Sequence, residues 1–375
     1  MKIARYLKSS EKPLRPQLLI VQPYLTAYRL PVFAELAAAF QGTLLASSPP
    51  TQGSGYGETQ ISGTAIRRQV WLREWKLLQG RLFWQQGLLA LLLRERPHRV
   101  LLPANPRGLS MWAALLLCRL LGLRCFAYGQ GLYDKPTPPI WLVTAYRLLI
   151  ALSRCYICYT DSGKESLRRQ GIRGRVVVAA NSLRLEHPVM PREKSGQENG
   201  ILFVGRLREG CNLRLLIDAV SEARRVSGQD LHLHVVGSGT DLMALQSRYA
   251  ERSWIRWHGE VYDQATIRSI AANCRVGCYP GHAGLSVVHY MGLSLVPVVH
   301  DRLDLHMGPE PSYVVDLENG RRFSYSDASL SLPRVLIELF QPGAVTTLAD
   351  RAFQTYSVLN TPSLGTRLAR IIEVH

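Results

Sequence analysis

The stretch Cys278-Tyr-Pro-Gly-His-Ala-Gly-Leu-Ser-Val-Val-His-Tyr-Met-Gly292 decides the fold of this chain. A strand-like run, residues 275–279, ends at Pro280-Gly281, and the apolar run 296–299 follows the stretch. Between these runs, residues 285–293 have the length and spacing of a buried helix. The pattern predicts a strand, a glycine-rich loop, a helix and a strand. Such a loop admits a ligand close to its backbone and favours phosphate at the helix start, the alternative being an ordinary turn.

Strand-like and helix-like segments alternate on either side of this stretch. Strands are predicted at residues 18–22, 43–46, 99–103, 124–128, 155–160, 176–180, 201–205, 231–237 and 255–259. Helices are predicted at residues 71–94, 110–121, 141–152, 164–170, 213–225 and 264–273, and another opens at Tyr28 with Pro31 in its first turn. This alternation is typical of α/β folds with parallel sheets covered on both faces.

A polar segment, residues 187–199, divides the alternation in two. It contains two prolines and a glycine, which is typical of an interdomain linker. We therefore expect two doubly wound, Rossmann-like domains that face a central cleft, residues 1–186 and 200–350. A C-terminal helix within residues 351–375 is expected to pack back toward the first domain. Ligands of such sheets bind at the carboxyl ends of the strands.

Basic residues exceed acidic ones by 45 to 28 in the 375-residue chain, a formal charge of +17. This excess favours partners that carry phosphate, which include nucleotides, nucleic acid and anionic membrane surfaces. No nucleic-acid recognition motif accompanies the charge, so we expect no nucleic-acid partner.

The cysteines and histidines do not predict a metal site or a disulfide framework. The seven cysteines are odd in number and scattered, which is typical of a chain in the reducing cytoplasm. Cys155 and Cys158 lie in an apolar run and are expected to be core thiols, although their spacing also occurs in metal and redox sites. The longest apolar stretch, residues 139–159, contains Arg147 and Arg154, each costing about 3 kcal/mol at the centre of a membrane span. We therefore expect no metal, no cofactor and no membrane crossing.

Residues 67–84 interleave cations with three tryptophans, Trp71, Trp75 and Trp84. This composition predicts a basic amphipathic helix that lies in the headgroup layer of an anionic membrane. The alternative is a helix that faces the core and whose charges are merely solvated.

Five signals in the second half occur in a familiar order. They are Val204-Gly-Arg206-Leu; Asn212 with Leu215-Leu-Ile-Asp-Ala219; Val235-Val-Gly-Ser-Gly239; the opening loop and helix; and Pro309-Glu310 with Asn319-Gly320. Together they resemble the donor-binding half of retaining GT-B glycosyltransferases of the family 4-like group, which transfer sugars from nucleotide diphosphates. The first half resembles a bacterial polysaccharide-assembly branch of that group through residues 22–33, Asn105-Pro-Arg107 and Gly129-Gln-Gly131.

The resemblance implies roles for particular residues on the donor side. Arg206 stands where the family's arginine contacts the donor diphosphate, and Gly205 precedes it. The donor loop, residues 281–286, includes Gly281, Gly284, Leu285 and Ser286, whose amides are expected to meet the same phosphates. His289 is expected at the nucleotide ribose, with a packed helix histidine as the alternative, and Glu310 at the sugar. Arg206, His289 and Glu310 are thus the expected catalytic residues.

The chain departs from the family's pattern at three positions. Gly281 and His289 stand where the usual motif has two glutamates, and Cys211 stands where a lysine normally partners the arginine. We hypothesise that Arg208 or Arg214 supplies the missing positive charge.

On the acceptor side the resemblance implies Arg29, Asn105, Arg107 and Gln130. Arg29 and Arg107 are expected to meet an acceptor pyrophosphate or the donor phosphates, the alternative being ordinary exposed arginines. The expected activity is metal-independent, retaining transfer of a sugar from a UDP- or GDP-linked donor. The expected acceptor is lipid-linked or a saccharide, in bacterial surface or exopolysaccharide synthesis at the cytoplasmic face of the inner membrane. The alternative is a catalytically degenerate scaffold that binds nucleotide sugars in a polysaccharide assembly complex.

Overall fold

The computed structural model describes residues 16–49, 65–132, 135–194, 198–341 and 346–375. Residues 1–15 of the expected first domain and 195–197 of the expected linker lie outside the described residues.

The first half contains nine strands and five helices among its described residues. Its strands are β1 (Leu18–Tyr24), β2 (Thr43–Ser48), β3 (Ile66–Trp71), β4 (Arg73–Leu77), β5 (Leu82–Gln86), β6 (Arg99–Pro103), β7 (Arg124–Gly129), β8 (Cys155–Cys158) and β9 (Val176–Val178). Its helices are α1 (Leu30–Ala38), α2 (Leu88–Glu95), α3 (Leu109–Leu120), α4 (Ile140–Leu152) and α5 (Asp161–Arg169). Seven of the strands form one parallel sheet in the order β3-β2-β1-β6-β7-β8-β9.

Strand β1 explains why this sheet lies inside the domain. Leu19 and Val21 contribute to one apolar core, and Leu18 and Ile20 to another, and all four side chains are buried. Because successive residues of a strand point to opposite faces, a continuous apolar run requires cover on both sides. Helices supply that cover.

The second half repeats this architecture around a third core. Its strands are β10 (Gly200–Val204), β11 (His232–Val236), β12 (Ile255–Gly259), β13 (Cys274–Cys278), β14 (Val296–His300) and β15 (Arg321–Phe323). Its helices are α6 (Leu213–Ser227), α7 (Leu242–Arg248), α8 (Gln264–Ala271), α9 (Ser286–Gly292), α10 (Ala328–Leu339), α11 (Thr346–Leu359) and α12 (Leu364–Val374). The parallel order is β12-β11-β10-β13-β14-β15. The predicted α/β class with two doubly wound sheets is confirmed.

Each sheet has one point at which the chain reverses the direction of winding. That point lies between β1 and β6 in the first sheet and between β10 and β13 in the second. Ligands of open α/β sheets bind in the crevice outside the carboxyl ends of the strands at such a point. The loops after these four strands carry Arg29, Asn105, Arg206 and the donor loop.

The chain passes between the two halves twice, and at each passage its side chains pack into the core of the half that it enters. Leu183 and Leu185 already belong to the core of the second half, and Val189 N–H donates to Gly292 O at 3.0 Å. At the other crossing, α12 packs on α1 and buries Leu364, Leu368 and Ile372 with the first half's core. The domain boundaries given by the sequence stay a prediction, and these contacts show that the chain enters the second core before residue 187.

The predicted helix over residues 71–94 is wrong. Those residues form the end of β3, the antiparallel hairpin of β4 and β5, and α2, which begins only at Leu88. Leu78, Gln79 and Gly80 have φ angles of 49°, 55° and 83°, which end any right-handed helix. Trp75 pairs with Trp84 across the hairpin, and such aromatic cross-strand pairs stabilise strands. Spacing of the tryptophans alone could not distinguish the two structures.

No helix in the described part of the chain is long and apolar enough to cross a membrane.

Candidate functional site

Three loops of the second half come together at the carboxyl edge of its sheet. A side-chain carbon at Gly237, in the loop after β11, would lie 1.9 Å from Gly205 O, in the loop after β10. Likewise, a carbon at Gly281 would lie 2.2 Å from Gly210 O, and His282 N–H donates to that same oxygen at 2.8 Å. Only glycine permits such close backbone approach at these two positions. The loops after β10 and β11 therefore form one surface with the donor loop.

The contact at Gly281 joins two departures from the family's pattern. A carbon at Gly281 would also lie 2.7 Å from the carbonyl carbon of Cys211. Cys211 is itself buried and belongs to the core, and burial raises the pKa of its thiol. In this backbone a glutamate at position 281 has no room, and the side chain at position 211 points away from solvent. The two departures from the family's pattern therefore lie in contact with each other in this structure.

The arginines near this surface occupy different places. Arg206 follows β10 and is exposed. Arg208 is also exposed, and its Nη2 lies 3.0 Å from Met307 Sδ. Arg214 lies on α6, with its Nε 3.9 Å from Asp218 Oδ2. Of the two hypothesised substitutes for the lysine, Arg208 is therefore the one that reaches toward the donor loop.

The segment around Met307 packs against the donor loop. Met307 N–H donates to Ala283 O at 3.0 Å, and Gly308 N–H lies 3.3 Å from that same oxygen. Glu310 Oε2 would lie 2.2 Å from a side-chain carbon at Gly308 and 3.7 Å from one at Gly284. The carboxyl group of Glu310 is therefore beside the donor loop.

Glu310 also contacts the first half through Asn181. Asn181 Nδ2 donates to Glu310 Oε1, while Asn181 Oδ1 accepts from Arg29 Nη1 at 2.8 Å and from Tyr128 OH at 2.7 Å. Tyr313 OH donates to Asn181 O at 3.1 Å. These five residues form the interdomain cluster, which brings expected residues from both sides of the cleft into one network.

Burial dominates the electrostatics of this cluster. It raises the pKa of the Glu310 carboxyl, which the Asn181 hydrogen bond and the Arg29 charge partly oppose. It also raises the pKa of Tyr128 to about 12, so this phenol remains protonated and donates to Asn181 at neutral pH.

His289 and Ser286 lie on α9, which begins at the last residue of the donor loop. Burial lowers the pKa of His289 to about 4, so its imidazole is neutral at pH 7 and can both donate and accept a hydrogen bond. The Ser286 hydroxyl is buried and has no hydrogen-bond partner among the described residues. Both groups can therefore make further polar contacts.

The side chains of His300 and His306 pack together and support the donor loop. His306 Nδ1 accepts from Ala283 N–H at 3.2 Å, and His306 Nε2 lies 3.1 Å from His300 O. A neutral ring protonated at Nε2 satisfies both contacts. The His300 ring stacks on it with centroids 3.8 Å apart, and burial lowers the pKa of His300 to about 3 and of His306 to about 4.

The other expected acceptor-side residues lie at the carboxyl edge of the first sheet. Asn105 Oδ1 accepts from Arg107 N–H at 3.1 Å, so this side chain stabilises the turn before α3. Arg107 is exposed, and the buried Oε1 of Gln130 has no partner among the described residues. Arg29 is thus the expected acceptor-side residue that belongs to the interdomain cluster.

Sequence reasoning missed Asn181, Tyr128 and Tyr313. Asn181 follows the apolar run Val176-Val-Val-Ala-Ala180, so it is a polar residue just after a buried strand. Ligands of parallel sheets bind at the carboxyl ends of the strands, so this position was a signal that could have identified Asn181. Tyr128 has no comparable signal, because a tyrosine at the end of a strand is ordinary.

Within the described residues, no three side chains of histidine, cysteine, aspartate or glutamate are grouped so that they could hold a metal ion.

Comparison with known proteins identifies the fold. The model of the family described as "Glycosyl transferases group 1" matches residues 198–330. No curated protein matches the chain in sequence. Among solved structures, HepE of Anabaena in complex with UDP-glucose is similar over 96% of this chain and 100% of its own, with 12% identity and a TM-score of 0.68.

Two further structures have the same fold. Sucrose-phosphate synthase of Thermosynechococcus elongatus is 13% identical over 94% of this chain and 97% of its own, with a TM-score of 0.68. The pneumococcal O-GlcNAc transferase GtfA, in complex with UDP and GlcNAc, is 13% identical over 79% of this chain and 63% of its own, with a TM-score of 0.60. The predicted GT-B architecture is thereby confirmed. Residues 198–330 carry the sequence pattern of the group 1 glycosyl transferases, on a chain that has the GT-B fold of glycosyltransferases.

Proposed function

We propose that this protein is a retaining, metal-independent glycosyltransferase that moves a sugar from a nucleotide diphosphate to a lipid-linked or saccharide acceptor. The acceptor belongs to a bacterial surface polysaccharide or exopolysaccharide and is used at the cytoplasmic face of the inner membrane. One observation carries the proposal. Glu310 lies beside the donor loop and is linked through Asn181 to Arg29, so groups expected on the donor and acceptor sides belong to one buried hydrogen-bond network.

The chemistry of transfer suits these residues. The bond between the anomeric carbon and the diphosphate oxygen breaks, and the acceptor hydroxyl forms a new bond on the same face. The acceptor's proton passes to the departing diphosphate. Negative charge grows on that diphosphate, and positively charged groups placed there stabilise the transition state. In our proposal Arg206 and Arg208 supply this charge, while Glu310 binds a sugar hydroxyl and His289 the ribose.

A UDP sugar is the first donor to test. HepE and GtfA were crystallised with UDP, whereas this chain's own residues do not distinguish UDP from GDP. The panel therefore includes UDP, GDP, ADP and their sugars.

Nucleotide binding tests the two arginines against a matched control. We expect Arg206→Ala and Arg208→Ala to weaken binding of the preferred nucleotide by about tenfold to a hundredfold, because each removes a charge-assisted hydrogen bond. Arg214→Ala removes the same charge from the outer side of α6 and should leave binding unchanged. Isothermal titration with each variant measures the effect.

Two results would contradict this assignment. If no nucleotide of the panel binds the wild-type chain, the glycosyltransferase proposal fails. If binding survives in Arg208→Ala but is lost in Arg214→Ala, the positive charge comes from α6 instead. Transfer itself is followed with a radiolabelled donor and membrane lipid extract, and NMR of the product's anomeric proton tests retention.

The packing of Gly281 against Cys211 favours a second candidate, a scaffold that binds nucleotide sugars without transferring them. In this backbone a side chain at position 281 would overlap main-chain atoms, and the uncharged Cys211 is buried beside it. Tight nucleotide binding, with no transfer to any lipid or saccharide acceptor, would support this candidate.

A further inference from the structure

The tip of the β4–β5 hairpin combines an unfavourable backbone with exposed apolar side chains. Gly80 N–H donates to Leu77 O at 3.1 Å, and Leu78 and Gln79 between them have φ angles of 49° and 55°. Such turns favour asparagine and glycine, because other side chains are strained in the left-handed region. Leu78 is nevertheless 69% exposed, and Trp75 and Leu77 are 45% and 40% exposed. Packing within the described residues therefore does not account for Leu78.

Positive charge surrounds this tip. Arg73, Lys76 and Arg81 are exposed, and the Arg73 guanidinium lies 4.3 Å from the centre of the Trp75 ring. Glu74 is the one acidic residue in the sequence 73–82, and it accepts a hydrogen bond from Tyr24 OH at the base of the hairpin. Within the segment 73–82 the tip thus presents apolar groups and three cations, and the one carboxylate of that segment is engaged by Tyr24.

The base of the hairpin is fixed to the acceptor side of the first sheet. Phe83 N–H donates to Arg107 O at 3.2 Å, and Gln85 N–H donates to Ser110 Oγ at 3.1 Å. The Phe83 ring would lie 2.8 Å from a side-chain carbon at Gly108. These contacts hold the hairpin at the start of α3, next to Arg107.

We propose that the hairpin tip inserts into an anionic membrane, with Leu77 and Leu78 among the acyl chains and Trp75 in the interfacial layer. Arg73, Lys76 and Arg81 then lie at the level of the lipid phosphates, where each cation is attracted to the surface. Tryptophan is enriched at this depth because one end of its ring system is apolar and the other donates a hydrogen bond. A bilayer accepts isolated leucines without the complementary pocket that a protein partner must supply.

This inference deepens the proposed function and rests on it for its biological meaning. A lipid-linked acceptor would arrive in the plane of the membrane, and the hairpin would place Arg107 beside it. The sequence predicted an amphipathic helix for residues 67–84, and the structure has a hairpin there instead. The proposed insertion therefore uses the side chains at the turn rather than the apolar face of a helix.

The double variant Leu78→Asn/Gln79→Gly tests insertion without damaging the fold. Asparagine and glycine suit the left-handed turn, so the free energy of unfolding should stay the same or increase. Co-sedimentation of the full chain with phosphatidylglycerol–phosphatidylcholine vesicles should fall by about tenfold, since a buried leucine side chain is lost from the membrane. Leu330→Asn is the matched control, because Leu330 is similarly exposed, at 64%, and belongs to α10 in the second half of the chain rather than to the hairpin.

Several results would overturn the proposal. Undiminished vesicle binding by the double variant, or an equal loss with Leu330→Asn, would exclude insertion of this tip. A dimer of the wild-type chain that the double variant lacks, seen by light scattering without lipid, would assign the tip to contact between copies. Nucleotide affinity is measured in the same samples, so a failure of insertion with intact nucleotide binding leaves the proposed function standing.

Discussion

Gly281 shows how one residue determines which chemistry the donor loop can offer. Its backbone lies so close to Gly210 and Cys211 that any side chain there would overlap main-chain atoms. Backbone cannot move aside as the end of a flexible side chain can. The donor loop instead has the carboxyl group of Glu310 beside Gly284, and Glu310 comes from a different segment of the chain.

Substitution of Gly281 tests this packing. We expect Gly281→Ala to lower the free energy of unfolding by about 2 kcal/mol or more, because the added methyl group must displace the loop after β10. Gly284→Ala is the matched control, since the nearest atoms to its added carbon are 3.7 Å away. Urea unfolding measures both variants, and equal stabilities would contradict the close contact.

At the scale of elements, β14 and the turn after it support the donor loop through His300 and His306. Both rings are buried and their pKa values are lowered to about 3 and about 4. The unfolded chain therefore binds more protons than the folded one below the ordinary pKa of about 6.5. The contribution of these two neutral rings to the free energy of unfolding is fully present above that pH and falls progressively as the pH is lowered toward 4.

His300→Phe should flatten this dependence. The ring nitrogens of His300 have no hydrogen-bond partner among the described residues, so an aromatic ring without them keeps the stacking on His306. We expect a smaller loss of unfolding free energy between pH 7 and pH 4.5, measured by urea unfolding at each pH. His187→Gln, which removes an exposed histidine away from this ring stack, is the control variant. The same slope in both variants would mean that His300 is not among the groups responsible.

The elements themselves were predictable where the local pattern had one interpretation. Residues 18–22 are apolar throughout, and a continuous short run between polar segments is typical of a buried parallel strand. Residues 71–94 had two interpretations, because cations and tryptophans at this spacing suit either an amphipathic helix or a hairpin. The pairing of Trp75 with Trp84 and the left-handed turn decided between them.

At the scale of the whole molecule, the interdomain cluster joins the two halves around Asn181. The side chain of Asn181 is completely buried. It accepts hydrogen bonds from Arg29 and Tyr128 of the first half and donates one to Glu310 of the second. A buried network of this kind is valuable when every member has a partner and costly when one is lost.

We expect Asn181→Ala to lower the free energy of unfolding by about 2–4 kcal/mol, because it leaves a buried carboxyl and a guanidinium without their partner. It should also lower the transfer rate more than nucleotide affinity, since the nucleotide itself is expected to contact other loops. Asn273→Ala, at an exposed asparagine on the second half, is the control and should change stability by less than about 0.5 kcal/mol. Equal effects of the two variants would remove Asn181 from any role between the domains.

The sequence by itself determined the alternation of strands and helices, the order of the motifs and the donor-loop pattern, because these depend on local periodicity and on glycine's backbone freedom. Tertiary structure alone decided that Asn181 links Glu310 to Arg29, that Tyr128 and Tyr313 join the same cluster, and that Gly281 packs against Cys211. Those relations join residues as much as 152 positions apart in the chain. No local pattern encodes them, because they arise only when the carboxyl edges of two sheets face each other.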